Sequence, residues 1–331
     1  MQKQTTSLPL RWLFAPLVLA ALLSVSLFPA AAQDAASTAP PAAQAISPER
    51  LSAYLEFYQY DKSLPLNAEE RLIDETDAYR LYHVLYDSTH DQRVPALLML
   101  PKSPAGPRPC IFFIHGHGGK KDEVRAIFPI CLQLGYAAFS IDAQYHGERP
   151  NSGTEIFSQY IHRNRDAVIQ TIVDARRGLD YLETRPDIDP ARLGYIGGSM
   201  GGIMGSIFAG VDDRLKAPIL IVAGGDFGLM SRESHLSSLE ALRQKVSLPY
   251  DEIGPIMQPC EPLNFVGLIS PRPVLFLNGL HDDIVPPEAT KELFQAAGEP
   301  KEIHWYDAGH GLPREEIAAR IIPWLQVNLS P

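Results

Sequence analysis

The chain has little cysteine, with Cys110, Cys131 and Cys260 the only three in 331 residues. Three thiols cannot staple a scaffold of this length, and no two stand at the spacing of metal ligands. They read as small buried apolar residues, with room for one disulfide at most and a thiol left over. The chain also lacks a Lys/Arg run, and its formal net charge is −10. That balance argues against a nucleic-acid-binding role. No internal repeat is found, so a solenoid or propeller is not expected. What remains is ordinary globular material, 45% hydrophobic and 21% charged, long enough for one large α/β domain or two small ones.

The N-terminus is set apart. Lys3 and Arg11 are the only charges in residues 1–32, residues 12–28 are almost wholly apolar, and Ala30-Ala31-Ala32 follows. This three-part pattern reads as a secretory signal cleaved after Ala32, which places the mature protein in the periplasm or outside the cell. A membrane anchor formed by residues 12–28 is the alternative, since that run approaches spanning length. No stable membrane insertion is expected after cleavage. Residues 33–45, rich in Ala, Pro, Ser and Gln, read as a flexible leader. Residues 46–331 are then a single domain.

Ser47-Pro48-Glu49-Arg50 reads as a helix start, with Ser47 as N-cap, Pro48 in the first turn and Leu51, Tyr54, Leu55 and Tyr58 at helical spacing. Residues 79–86 and 94–100 read as strands joined by a turn at His90-Asp91-Gln92. Beyond a loop at 104–109 the pattern alternates. Strands are predicted at 110–115, 136–141, 192–196, 218–223, 273–278 and 302–306, with helices near 121–134, 158–184, 200–210, 288–297 and 314–328. The later strands are continuous apolar runs, as in a sheet buried on both faces. The expectation is an α/β fold: about eight strands, mostly parallel, with helices on both faces. Residues 224–270 break the alternation. They hold a predicted helix near 232–245 and then Pro- and Gly-containing turns, and they read as an insertion over the carboxyl edge of the sheet, a lid or pocket wall.

The chemistry is concentrated at strand ends, where ligands bind in open α/β sheets. Gly194-Tyr195-Ile196-Gly197-Gly198-Ser199-Met200-Gly201-Gly202 reads as a strand turning at once into a helix. Such a bend thrusts its apex, Ser199, into the open. The helix start aims unpaired N–H groups at charge developing beside the serine. His115-Gly116-His117-Gly118-Gly119 ends an earlier strand. The His117 N–H and the Met200 N–H are the candidate oxyanion hole. A metal pair at His115 and His117 has no third ligand nearby. Asn278-Gly279-Leu280-His281-Asp282-Asp283 offers two adjacent acids, and Asp307-Ala308-Gly309-His310-Gly311 offers a histidine with small neighbours. The order Ser, Asp, His is that of the α/β-hydrolases.

Those stretches, with Asp142-Ala143-Gln144-Tyr145-His146-Gly147-Glu148 and Ile284-Val285-Pro286, resemble the α/β-hydrolase superfamily over residues 80–330. The branch they resemble is that of the dienelactone hydrolases and acetyl-xylan-esterase-like enzymes, a neighbour of the prolyl oligopeptidase catalytic domain. In such families the acid follows the Gly of Gly-x-x-Asp-x-x-Val-Pro by three residues, which selects Asp282 over Asp283. Dienelactone hydrolases carry cysteine where this chain has Ser199. The resemblance implies a serine hydrolase of small or medium acyl esters, acting on a small-molecule ester and needing no metal or organic cofactor. The alternative is a serine peptidase of the prolyl oligopeptidase type, although residues 33–108 are too few for the propeller such chains usually carry. Asp142 reads as a loop-fixing hydrogen bonder and Arg272 as structural. His146, Glu148 and Arg149 are left between polar-substrate binding and a solvated loop. Oligomeric state is not readable.

Overall fold

The computed structural model describes residues 46–329, so the apolar segment and leader read from the sequence lie outside the described residues. Its strands are β1 (Glu69–Glu75), β2 (Tyr79–Asp87), β3 (Arg93–Pro101), β4 (Arg108–Ile114), β5 (Ala137–Ile141), β6 (Ile188–Gly198), β7 (Leu215–Ile221), β8 (Val274–Gly279) and β9 (Lys301–Tyr306). They form one sheet in the order β1-β2-β3-β5-β4-β6-β7-β8-β9. The first three pair antiparallel, β3 meets β5 antiparallel, and the rest run parallel. His90 and Asp91 both take positive φ, 53° and 55°. That matches the twist of a tight hairpin between β2 and β3 and explains the turn read there.

The helices are α1 (Pro48–Leu55), α2 (Phe128–Leu134), α3 (Ile161–Glu183), α4 (Met200–Val211), α5 (Phe227–Glu233), α6 (Ser237–Lys245), α7 (Tyr250–Met257), α8 (Pro287–Ala296) and α9 (Arg314–Leu329). Strand alternation sorts the core into two layers. Phe112 and Ile114 of β4 join α3, α4 and α8 on one face. Ile111 and Phe113, which alternate with them, join α2 and α9 on the other. Every residue of β5 and of β8 is buried, which is why neither shows a polar face in the sequence. Ser47 caps α1 by accepting from the Arg50 N–H, and Arg272 holds the backbone oxygens of Ala209, Asp212 and Leu215.

Two features depart from the sequence reading. Against about eight strands expected, the described residues form nine; the one not read is β1, Glu-Glu-Arg-Leu-Ile-Asp-Glu, which buries neither face and so carries no alternation to read. Its charges and the bulge between Leu72 and Asp74 blunt an exposed edge. The helix expected near 232–245 is two helices, α5 and α6. Ser234 turns extended (ψ 131°) and its Oγ accepts from the Leu236 N–H. Arg243 then donates to the Ser231 and Ser234 carbonyls at the end of α5.

Candidate active site

The turn between β6 and α4 is built by close approach. A Cβ on Gly201 would stand 2.0 Å from the Ile114 carbonyl oxygen, and one on Gly197 would stand 2.5 Å from that of Gly201. Both positions therefore require glycine. Between them Ser199 is held at φ 56°, ψ −122°, a strained conformation for a residue with a Cβ. Its N–H donates to the Ile221 oxygen at 2.9 Å, and its carbonyl accepts from Ile203 at 2.9 Å, so the strain is locked from both sides.

His310, on the loop after β9, places Nε2 2.9 Å from Ser199 Oγ. Its Nδ1 faces Asp282 at 3.0 Å from Oδ1 and 2.9 Å from Oδ2. Asp282 is buried and is itself fixed, Oδ1 accepting from the N–H groups of Ile284 and Val285 at 2.9 Å each. Asp283 is exposed, and its carbonyl accepts from the His235 N–H. The carboxylate keeps the proton of His310 on Nδ1, which leaves Nε2 as the acceptor for the serine hydroxyl.

The loop 115–119 runs past the serine: a Cβ on Gly116 would be 3.7 Å from Ser199 Cβ. Among the described residues the His117 N–H has no protein acceptor. Met200 opens α4, where an N–H has no partner within the helix. The structure thus gathers all five residues singled out from the sequence, Ser199, Asp282, His310, His117 and Met200, around one point.

The loop is anchored by buried polar groups. His115 Nε2 accepts from the Ala143 N–H at 3.1 Å while Nδ1 donates to the Gly116 carbonyl at 2.8 Å. Burial brings its pKa from 6.5 down to about 4, so the ring is neutral. His146 accepts from the Gly118 N–H at 3.2 Å and donates to the Gln144 carbonyl at 2.8 Å. Asp142 accepts from the backbone of Lys121 at 2.7 Å and of Glu148 at 2.9 Å. Of the three residues left open by the sequence, His146 and Arg149 face inward as parts of this framework, while Glu148 is exposed and reaches it through ion pairs. His146 and Arg149 are buried, Arg149 pairs with Asp174, and Glu148 bridges Lys121 at 2.7 Å and His83 at 2.8 Å. Lys121 and His83 were invisible to sequence reasoning, because partners 27 and 65 residues away leave no local pattern.

Ser199, Met200 and His117 share the wall of a cavity of about 90 Å³ with Ile203, Phe157 and many residues of the insertion, among them Phe227, Met230, Leu239 and Ile253. His117 also borders a more polar cavity of about 180 Å³, lined by Tyr145, Ser152, Thr154 and Glu155. His117 Nε2 reaches Glu155 at 3.2 Å and Ser238 Oγ at 3.3 Å. Among the described residues no cluster of three or more His, Cys, Asp or Glu is arranged to hold a metal ion. Cys110, Cys131 and Cys260 are all buried and free.

Comparison with known proteins matches residues 53–224 to the acetyl xylan esterase (AXE1) family, a span that includes Ser199 and stops short of Asp282 and His310. The putative hydrolase YtaP of Bacillus subtilis is 28% identical over 243 residues, 69% of this chain and 79% of its own. Among solved structures, the acetyl xylan esterase from Paenibacillus sp. R4 superposes with a TM-score of 0.71 at 21% identity, over 85% of this chain and 93% of that one. Acetyl xylan esterase 1 from Thermoanaerobacterium sp. JW/SL YS485 gives the same score at 17% identity, over 85% and 94%. With its mostly parallel sheet and its helices on both faces, the chain has the α/β-hydrolase fold and belongs to the acetyl xylan esterase family.

Proposed function

We propose that the protein is a serine hydrolase of carboxylic esters with small or medium acyl groups. The observation that carries this reading is the imidazole of His310, hydrogen-bonded to Ser199 Oγ on one side and to Asp282 on the other. His310 Nε2 takes the hydroxyl proton as Oγ attacks the ester carbonyl. The carbonyl π electrons move to oxygen, and the His117 and Met200 N–H groups hold the oxyanion. Its collapse expels the alcohol oxygen, which takes the proton from His310, and an acyl-serine remains. Water, deprotonated by the same nitrogen, then releases the acid and restores the hydroxyl. Asp282 stabilises the imidazolium throughout.

The test is hydrolysis of p-nitrophenyl acetate, butyrate and octanoate by the wild type and Ser199→Ala. The variant should lose on the order of 10⁶ in kcat. Equal activity in both proteins would discard Ser199 as nucleophile, and inactivity of both on esters with turnover of peptide substrates would favour the peptidase reading. The N-terminal sequence supports action outside the cytoplasm. The mature protein recovered from outside the cytoplasm should then begin at Gln33, and retention of residues 12–28 would favour the anchor.

A further inference from the structure

We infer that the cavity beside Ser199 is the acyl site, and that it takes a linear aliphatic acyl chain of roughly four to eight carbons in preference to acetyl. The inference rests on the ester-hydrolase reading and specifies its substrate.

The first step is which half of the ester enters. The cavity wall holds the nucleophile and both residues that supply oxyanion N–H groups, but not His310. His310 must stand at the leaving oxygen to protonate it, and 28% of its side chain is open to solvent. The alcohol therefore leaves on the solvent side. The substituent on the other side of the carbonyl carbon, the acyl chain, points into the cavity.

The second step is what the wall will accept. Most of the lining is aliphatic or aromatic, and its few polar groups are already occupied. Ser158 Oγ donates to Asn164 Oδ1 at 2.8 Å, and Asn164 Nδ2 returns a bond to the Ser158 carbonyl at 2.7 Å. Ser231 Oγ donates to the Gly228 carbonyl at 2.8 Å, and Ser234 Oγ accepts from the Leu236 N–H at 3.2 Å. A hydroxylated or charged acyl group would be desolvated there with few partners. The exception, His117 Nδ1, is buried with no partner and sits on the oxyanion loop beside the reacting carbonyl.

The third step is size. About 90 Å³ is several times the 10–15 Å³ that one water-sized sphere requires. A methyl group would leave most of this apolar space unfilled. Each added methylene that reaches the wall should raise kcat/KM about fourfold until the cavity is full. The roof includes Leu239 and Leu242 of α6, a helix with no fully buried residue, so its wall can be altered with little burden on folding.

The experiment measures kcat/KM for p-nitrophenyl acetate, butyrate, hexanoate and octanoate with the wild type, Ser199→Ala, Leu239→Trp and Leu239→Ala. We expect hexanoate to exceed acetate at least tenfold in the wild type. The hexanoate-to-acetate ratio should fall at least tenfold in Leu239→Trp, and the optimum should move to a longer chain in Leu239→Ala. Ser199-dependent hydrolysis that is flat or falling from acetate to octanoate overturns the acyl-site inference and leaves the esterase reading standing. The same holds if both Leu239 variants keep the wild-type ratio. If no ester is cleaved in a Ser199-dependent way, both readings fall.

Discussion

Lys121 Nζ stands 3.0 Å from Asp142 Oδ2, with the two side chains 2% and 0% exposed. Asp142 also binds the Lys121 and Glu148 backbone N–H groups, so one carboxylate ties the segment after the oxyanion loop to the loop after β5. Replacing Lys121 by Met would strand that carboxylate in the interior. Breaking a buried pair from one side costs about 3–5 kcal/mol. Lys121→Met should lose that much in urea unfolding, and kcat should fall because the loop carrying His117 is loosened. Lys121→Met/Asp142→Asn, which removes the charge but keeps an acceptor, should recover part of the loss. A cost below about 1 kcal/mol for the single variant would show that the pair does not hold the loop.

The two adjacent acids give a direct comparison. Asp282 is buried against His310, while Asp283 is exposed. Asp282→Asn should keep the fold but favour the wrong imidazole tautomer, lowering kcat by about 10⁴. Asp283→Asn should change kcat less than about threefold. Comparable losses in the two variants would remove Asp282 from the role assigned to it.

The readable part of this site is the part that depends on local backbone chemistry. Gly197 and Gly201 are dictated by the Cβ clashes at the turn, and a glycine pair around a serine is visible in any listing of residues. Asp282 was found because β8 is an unbroken buried run and the residues just beyond it stand out, and His310 because it sits between glycines on the loop after the last strand. Nothing comparable marks Lys121, His83 or Arg149, whose roles are set by partners on other elements. The same holds for β1, which has no buried face to impose a period of two. The insertion at 224–270 was legible as an interruption, but its break at Ser234–Leu236 depends on a serine hydroxyl and an arginine from the next helix. The apolar character of the cavity emerges only when those helices are folded over Ser199.

Gly201 makes the close-approach argument quantitative. Its missing Cβ would lie 2.0 Å from the Ile114 oxygen and 3.0 Å from that of His115, both backbone atoms that cannot rotate away. Gly201→Ala must push β4 and α4 apart at the point where the oxyanion loop begins. Overpacking of this kind costs about 1–3 kcal/mol, occasionally more. We expect a loss of about 3 kcal/mol in stability, with activity falling further than Tm because His117 and Met200 move relative to Ser199. Gly198→Ala is the control, since a Cβ there meets nothing within 4 Å. Equal effects from the two substitutions would show that crowding is not what requires Gly201.

Glu261 gives the pH prediction. Its buried carboxylate accepts from the N–H groups of Asp226 at 2.7 Å and Phe227 at 2.9 Å, fixing the start of α5, which carries Phe227 and Met230 into the cavity wall. Burial pushes its pKa from the ordinary 4.5 up to about 7, against the opposing pull of the backbone N–H groups, with the nearby Asp226 charge adding to the rise. Between those two values the folded protein keeps a proton that the unfolded chain has released. Stability from this group is therefore fully present below pH 4.5, declines as pH rises, and is gone above about pH 7. From pH 5 to pH 8 the loss is about 2 to 3 kcal/mol. Glu261→Gln cannot ionise and lacks this slope. Urea unfolding of both proteins at pH 5 and pH 8 should show the wild type losing that much more than the variant. Parallel losses would mean that Glu261 is ionised in the folded protein throughout, and that the Asp226 and Phe227 N–H groups, not burial, govern its titration.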